Sequence, residues 1–307
     1  MGKYIVRRLL QMIPVVLGST FLIYALVFAL PGNPAEGRCG ERPCPPAYIA
    51  AFTKEFHLDD PLLVQYGYYL GRLAQGDLGT NFYGNPVLHE LAIRYPTTVK
   101  LALIAIIFEV VIGIAAGVLA GIRRGGFADN LVLISSLVVI ATPVFVIGNV
   151  FQLLFGVKIP IFPVTSTNGT LNELLLPGFV LGSLSIAYVA RLTRANLAEN
   201  LRADYVRTAK AKGLTPTRTV GVHTLRNSLI PVITYIGADF GSLMGGAIVT
   251  ESIFNVNGVG NFLFRSIRQQ DGQSVVGVVV VLIIIFLLFN LFVDILYGVL
   301  DPRISND

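Results

Sequence analysis

The feature that most limits what this chain can become is a set of apolar runs about as long as a bilayer is thick. A helix rising 1.5 Å per residue needs about 20 apolar residues to cross the hydrocarbon core. Runs of that order occupy Leu9–Leu30, Leu101–Ile122, Leu131–Phe155, Leu174–Ala190, Leu229–Val249 and Val275–Leu300. They are continuous rather than alternating, which predicts helices and argues against an outer-membrane barrel. Only 13% of residues are charged, against about 25% in soluble domains. The expectation is an all-α, polytopic membrane protein with six transmembrane helices. The basic start MGKYIVRR would also suit a cleavable leader. The first run is longer than a leader's apolar core, however, and FALPGNP offers no A-x-A cleavage pattern, so it is read as an uncleaved helix.

Charge placement orients the spans. Lys3, Arg7 and Arg8 precede the first run, and Arg123 and Arg124 follow the second. Segment 191–226 adds Arg191, Arg194, Arg202, Arg207, Lys210, Lys212, Arg218 and Arg226 against only Glu199 and Asp204. Loop 156–173 holds a single cation, Lys158. The positive-inside rule then predicts both termini and 191–226 in the cytoplasm. The net charge of +5 is thus accounted for by topology and membrane lipid, with no nucleic acid needed as partner.

Three parts follow: 1–30, the N-terminal tail and first helix; 31–100, an extracytoplasmic segment; and 101–307, a five-helix core with the loop 191–226. The extracytoplasmic segment holds Cys39 and Cys44, which an oxidising compartment would allow to pair, or which stay as two thiols. His57, His89 and His223 lack metal-site spacing, so no metal is expected. Residues 45–82 read as short amphipathic helices and turns, with Tyr66, Tyr68 and Tyr69 as an interfacial aromatic belt.

Glycines recur at four-residue spacing at 113, 117 and 121; at 178 and 182; and at 237, 241 and 245. Such stripes let helices pack closely; in the last set, Gly241 and Gly245 are also candidates to line a solute passage. Glu109 and Asp239 lie within apolar runs, where a charge costs on the order of 3 kcal/mol, so each should face the bundle interior or water. They are either path residues or structural hydrogen-bond partners.

The longest cationic stretch is RTAKAKGLTPTRT. Arg202 to Lys212 has good helix formers, Gly213 suits a left-handed stop, and Thr215–Pro216 suits a capped restart. The pattern predicts two short helices meeting at a corner, a shape suited to a groove on another protein.

YVRTAKAKG with HTLRN downstream resembles the EAA loop of ABC importer permeases. Arg207, Thr208 and Ala209 stand at the E-A-A positions, Arg in place of Glu, and Gly213 at the family's glycine. RRLLQMIPVVLGSTFLIYALVFALPGNP, LDDPLLVQYGYYLGRLAQGDLGTNF and ESIFNVNGVGNFLFRSI resemble other parts of dipeptide and oligopeptide permeases, in order along the chain. The closest fit is the B-type subunit. The resemblance implies the MetI-like ABC permease architecture, in the bacterial cytoplasmic (inner) membrane. It also implies a coupling helix comprising Arg207, Thr208, Ala209, Lys210, Lys212, Gly213, Leu214, Thr215 and Pro216. The implied partners are a second, C-type permease subunit, two ATP-binding subunits carrying ATP and Mg, and an extracytoplasmic solute-binding protein. Substrates in that branch are dipeptides and longer peptides, glutathione, haem or nickel.

The chain itself holds no G-x-x-x-x-G-K-[ST] phosphate loop, so ATP hydrolysis is expected elsewhere and no cofactor on this chain. The alternative is a proton-coupled secondary transporter using Glu109 or Asp239, although no inverted repeat is visible. A membrane enzyme would need a nucleophile or metal cluster that the sequence does not display.

Overall fold

The computed structural model describes residues 2–29 and 44–300. Cys39 lies outside the described residues, and with it the Cys39–Cys44 pairing. In chain order the helices are α1 (Gly2–Phe28), α2 (Pro46–Glu55), α3 (Leu62–Ala74), α4 (Val87–Phe108), α5 (Ile114–Ile122), α6 (Phe127–Ala141), α7 (Val144–Phe151), α8 (Leu171–Asn200), α9 (Asp204–Ala211), α10 (Pro216–Arg218), α11 (Leu225–Ile253), α12 (Val259–Arg268) and α13 (Gly272–Leu300). Wider π-helical turns at Glu109–Gly113, Gln152–Lys158 and Thr219–Thr224 follow α4, α7 and α10.

Ile5–Phe28, Val87–Ile122, Leu171–Asn200, Pro216–Gly245 and Gly272–Val293 are each long and apolar enough to cross a membrane. The third predicted span is not a single rod. α6 and α7 meet at 104°, because Pro143 lacks an amide proton and pushes Thr142 out of the helical region, to φ −96, ψ 125. Counting that bent pair as one span brings the total to six. The second span begins at Val87, well before Leu101, since His89, Glu90, Arg94 and Lys100 interrupt its hydropathy without interrupting its helix.

The chain divides into two compact units, residues 1–98 with 257–307, and residues 99–256. In the first, α1 packs along α13 and touches α3. The Tyr66 hydroxyl donates to the Leu17 carbonyl at 2.9 Å and lies 2.7 Å from the Thr20 hydroxyl. Tyr66 is therefore buried against α1, together with Tyr24, Val276 and Val280, rather than lying in an interfacial belt. Tyr68 remains exposed and stacks on His57 at 4.1 Å. A braced turn precedes α4. Asp271 accepts from the Phe82 amide at 2.8 Å and the Ser274 hydroxyl at 2.6 Å, while Glu90 pairs with Arg94 and accepts from Asn85 at 2.9 Å.

In the second unit the most deeply buried helix is α8, flanked by α5, α6, α7 and α11. Close approach is decided at Gly117, where an added Cβ would stand 2.5 Å from the Thr193 Cβ and 2.6 Å from the Ala190 carbonyl. Gly182 does the same against the Ala105 carbonyl at 2.9 Å. The opposite holds at Gly245, where a Cβ would meet nothing within 4 Å. Arg194 on α8 donates to Asp129 on α6 through two bonds, 2.7 and 2.9 Å, and the Gly125 amide donates to the same carboxylate at 2.7 Å. Leucine, isoleucine, valine and phenylalanine side chains stay exposed along α4, α6 and α7, as expected of surfaces that face lipid.

Candidate functional site

The cationic stretch forms the predicted corner, built mostly from backbone. α9 runs from Asp204 to Ala211, and Gly213 takes φ +77. The Gly213 amide donates to the Lys210 carbonyl at 2.9 Å and the Leu214 amide to the Ala209 carbonyl at 3.2 Å. That pair of bonds is the Schellman ending, which satisfies carbonyls the helix would leave open. Thr215 then caps α10: its hydroxyl accepts from the Arg218 amide at 3.4 Å, with Pro216 in the first turn. At the base, the Asn200 amide donates to Ser228 at 3.1 Å, and the Tyr205 hydroxyl donates to Asn200 at 3.1 Å. The corner is thus fastened to the end of α8 and the start of α11.

Of the nine residues implied for coupling, Ala209 is buried and Leu214 half-buried, so these two anchor the corner from within. Arg207, Thr208, Lys210, Lys212, Gly213, Thr215 and Pro216 are exposed and share the outer surface. The Arg207–Asp204 contact is 3.4 Å long between two exposed side chains, which contributes little and leaves the guanidinium available.

A second polar site lies inside the helical bundle. Glu109 opens the π-helical turn, is 0% exposed, and neither of its carboxyl oxygens has a hydrogen-bond partner among the described residues. Asp239 on α11 lies within Coulombic reach of it and accepts from the Ser185 hydroxyl of α8 at 2.6 Å. Tyr235, within Coulombic reach of both acids, stacks on Tyr188 at 4.3 Å. The two sequence-picked acids thus lie within Coulombic reach of each other. For Asp239 it supplies the structural hydrogen bond; for Glu109 it does not. Gly241 is buried on α11, and Gly245 borders open space. Ser185, Tyr188 and Tyr235 were missed by sequence reasoning, because hydroxyls in an apolar run carry no periodic signal. Among the described residues no cluster of His, Cys, Asp and Glu is arranged to hold a metal.

Residues 113–306 match the family described as the binding-protein-dependent transport system inner membrane component, and residues 1–102 match its N-terminal counterpart. The chain belongs to this family of transport permeases. The permease is 37% identical to a dipeptide transport system permease of Alkalihalophilus pseudofirmus, over 99% of its own length and 100% of the relative's. It is 38% identical to a di/tripeptide transport system permease of Pseudomonas aeruginosa, over 100% and 99% of the two chains. A glutathione transport system permease of Pectobacterium atrosepticum is 35% identical over 99% of each. The permease is accordingly a multi-pass inner-membrane protein and a non-catalytic transport component. The secondary-transporter alternative built on Glu109 or Asp239 finds no support among these relatives.

Proposed function

We propose that this permease forms half of the translocation pathway of an ATP-driven importer for dipeptides or short oligopeptides. The observation that carries the reading is the exposed corner at 204–218, rigidly capped and fastened to two spanning helices. A second, C-type permease completes the pathway. Two ATP-binding subunits, loaded with ATP and Mg, receive the corner in a groove. The exposed cations at 207, 210 and 212 favour acidic walls on that groove. A solute-binding protein delivers the peptide from the opposite face, with both termini of the permease in the cytoplasm. Glu109, Asp239, Gly241 and Gly245 line or border the path. The peptide substrates named for relatives across the full length support the substrate class.

The test substitutes Gly213 in the assembled transporter. No atom crowds a Cβ there, but φ +77 strains any L side chain, by about 1–2 kcal/mol. Gly213→Val should leave the permease inserted while reducing binding-protein-stimulated ATP hydrolysis and peptide uptake at least tenfold. Uptake and stimulation at wild-type levels would remove the corner from the coupling role.

A further inference from the structure

The peptides named for the relatives are dipeptides, di/tripeptides and glutathione. All carry a primary α-ammonium, together with a carboxylate and an amide bond, and of these groups the ammonium is the one that an acidic site would take. We infer that Glu109, Asp239, Ser185 and Tyr235 form a subsite inside the helical bundle that takes this ammonium during passage. The inference deepens the peptide-importer reading and rests on it for the identity of the cargo.

A carboxyl group that is fully buried with both oxygens unpartnered is rare, since buried polar groups otherwise find partners. A second carboxyl, Asp239, lies within Coulombic reach of it, and no ion pair joins either acid among the described residues, although buried carboxylates are ordinarily paired. The arrangement has surplus acceptors. Glu109 offers two free oxygens, Asp239 spends Oδ2 on Ser185, and an –NH₃⁺ group brings three donors and no acceptor. The stacked rings of Tyr188 and Tyr235 beside it present π faces, which attract a cation electrostatically. Asp239 is half-buried, whereas Glu109 is enclosed. The π-helical turn starting at Glu109 supports the same conclusion, because such turns gather at functional sites.

The experiment uses the purified assembled transporter without its binding protein, so that the delivery protein's own selectivity does not enter. Thermal melting is followed with millimolar alanyl-alanine amide, with its N-acetyl derivative, and with sodium chloride against choline chloride. Alanyl-alanine amide should raise the melting temperature by about 2–4 °C at several times its dissociation constant, and the acetylated peptide should not. Glu109→Gln and Asp239→Asn should each abolish the difference. Unliganded melting of both variants checks that they fold, and Tyr235→Phe, which keeps the ring, should retain at least half the shift. Equal shifts with the acetylated peptide would overturn the ammonium assignment, as would a sodium shift of the same size or shifts that survive in both acid variants. Failure of the wild-type complex to take up peptide with ATP and its binding protein would instead overturn the importer reading, so the two failures are separable.

Discussion

Replacing Gly117 by alanine is the sharpest test of how the second unit is held together. The new Cβ would stand 2.5 Å from the Thr193 Cβ and 2.6 Å from the Ala190 carbonyl oxygen, about 1 Å inside normal contact. The Thr193 side chain could rotate only its γ atoms, and the Ala190 carbonyl belongs to the α8 backbone, so relief requires α5 and α8 to separate. Overpacking of this kind costs about 1–3 kcal/mol, and a backbone obstacle puts it at the upper end. Alanine returns about 1 kcal/mol of helix propensity, leaving a net loss of about 2 kcal/mol. For a unit of this size that corresponds to about 4–8 °C in melting temperature. The assay heats detergent-solubilised permease and follows the monodisperse fraction by gel filtration. Gly245→Ala is the control, since nothing within 4 Å meets its Cβ, and its melting should be unchanged or slightly raised. A Gly117→Ala protein melting within 1 °C of wild type, or a Gly245→Ala protein falling as far, would refute the close-packing argument.

Arg194→Met strands the buried Asp129 carboxylate and should cost about 3 kcal/mol, read as a lower melting temperature that Asp129→Asn in the same chain partly restores. Asp271→Ala removes the acceptor of the Phe82 amide, so hydrogen exchange at that amide should quicken at least tenfold while exchange within α8 stays unchanged. Burial raises the Asp77 carboxyl, but hydrogen bonds from Arg72 and the Gly79 amide outweigh it and hold the group below its ordinary value. A folded-state pKa depressed in this way stabilises the turn above the ordinary aspartate value and loses that stabilisation as pH falls through the folded value. Protection of the Gly79 amide, exchange taken relative to its intrinsic rate at each pH, should therefore fall on acidification in wild type, and not in Asp77→Asn.

What was legible in the sequence was local. The corner at Gly213 could be read because a helix stop, a left-handed glycine, a hydroxyl cap and a proline sit within a few residues of one another. The bend at Thr142–Pro143 was equally local, but an unbroken apolar run outweighed a single proline in the reading. The early start of α4 was hidden for the converse reason: hydropathy falls where His89, Glu90, Arg94 and Lys100 occur, yet helical hydrogen bonding is indifferent to it. Contacts between distant residues left no trace at all. Asp129 and Arg194 are 65 residues apart, and Ser185 and Asp239 are 54 apart. Nothing in either neighbourhood announces its partner, so the acids at 109 and 239 could be picked singly, while their meeting belongs to the fold.

The corner does not hang from α11 by a flexible tether. From Pro216 the chain runs helically through the π turn and into α11, and the 30 residues to Gly245 make a lever arm about 45 Å long. If such a lever pivots near its middle, a tilt of about 10° displaces each end by about 4 Å in opposite senses. A push on Pro216 would then be delivered, reversed in direction, near Gly245, where there is open space to receive it.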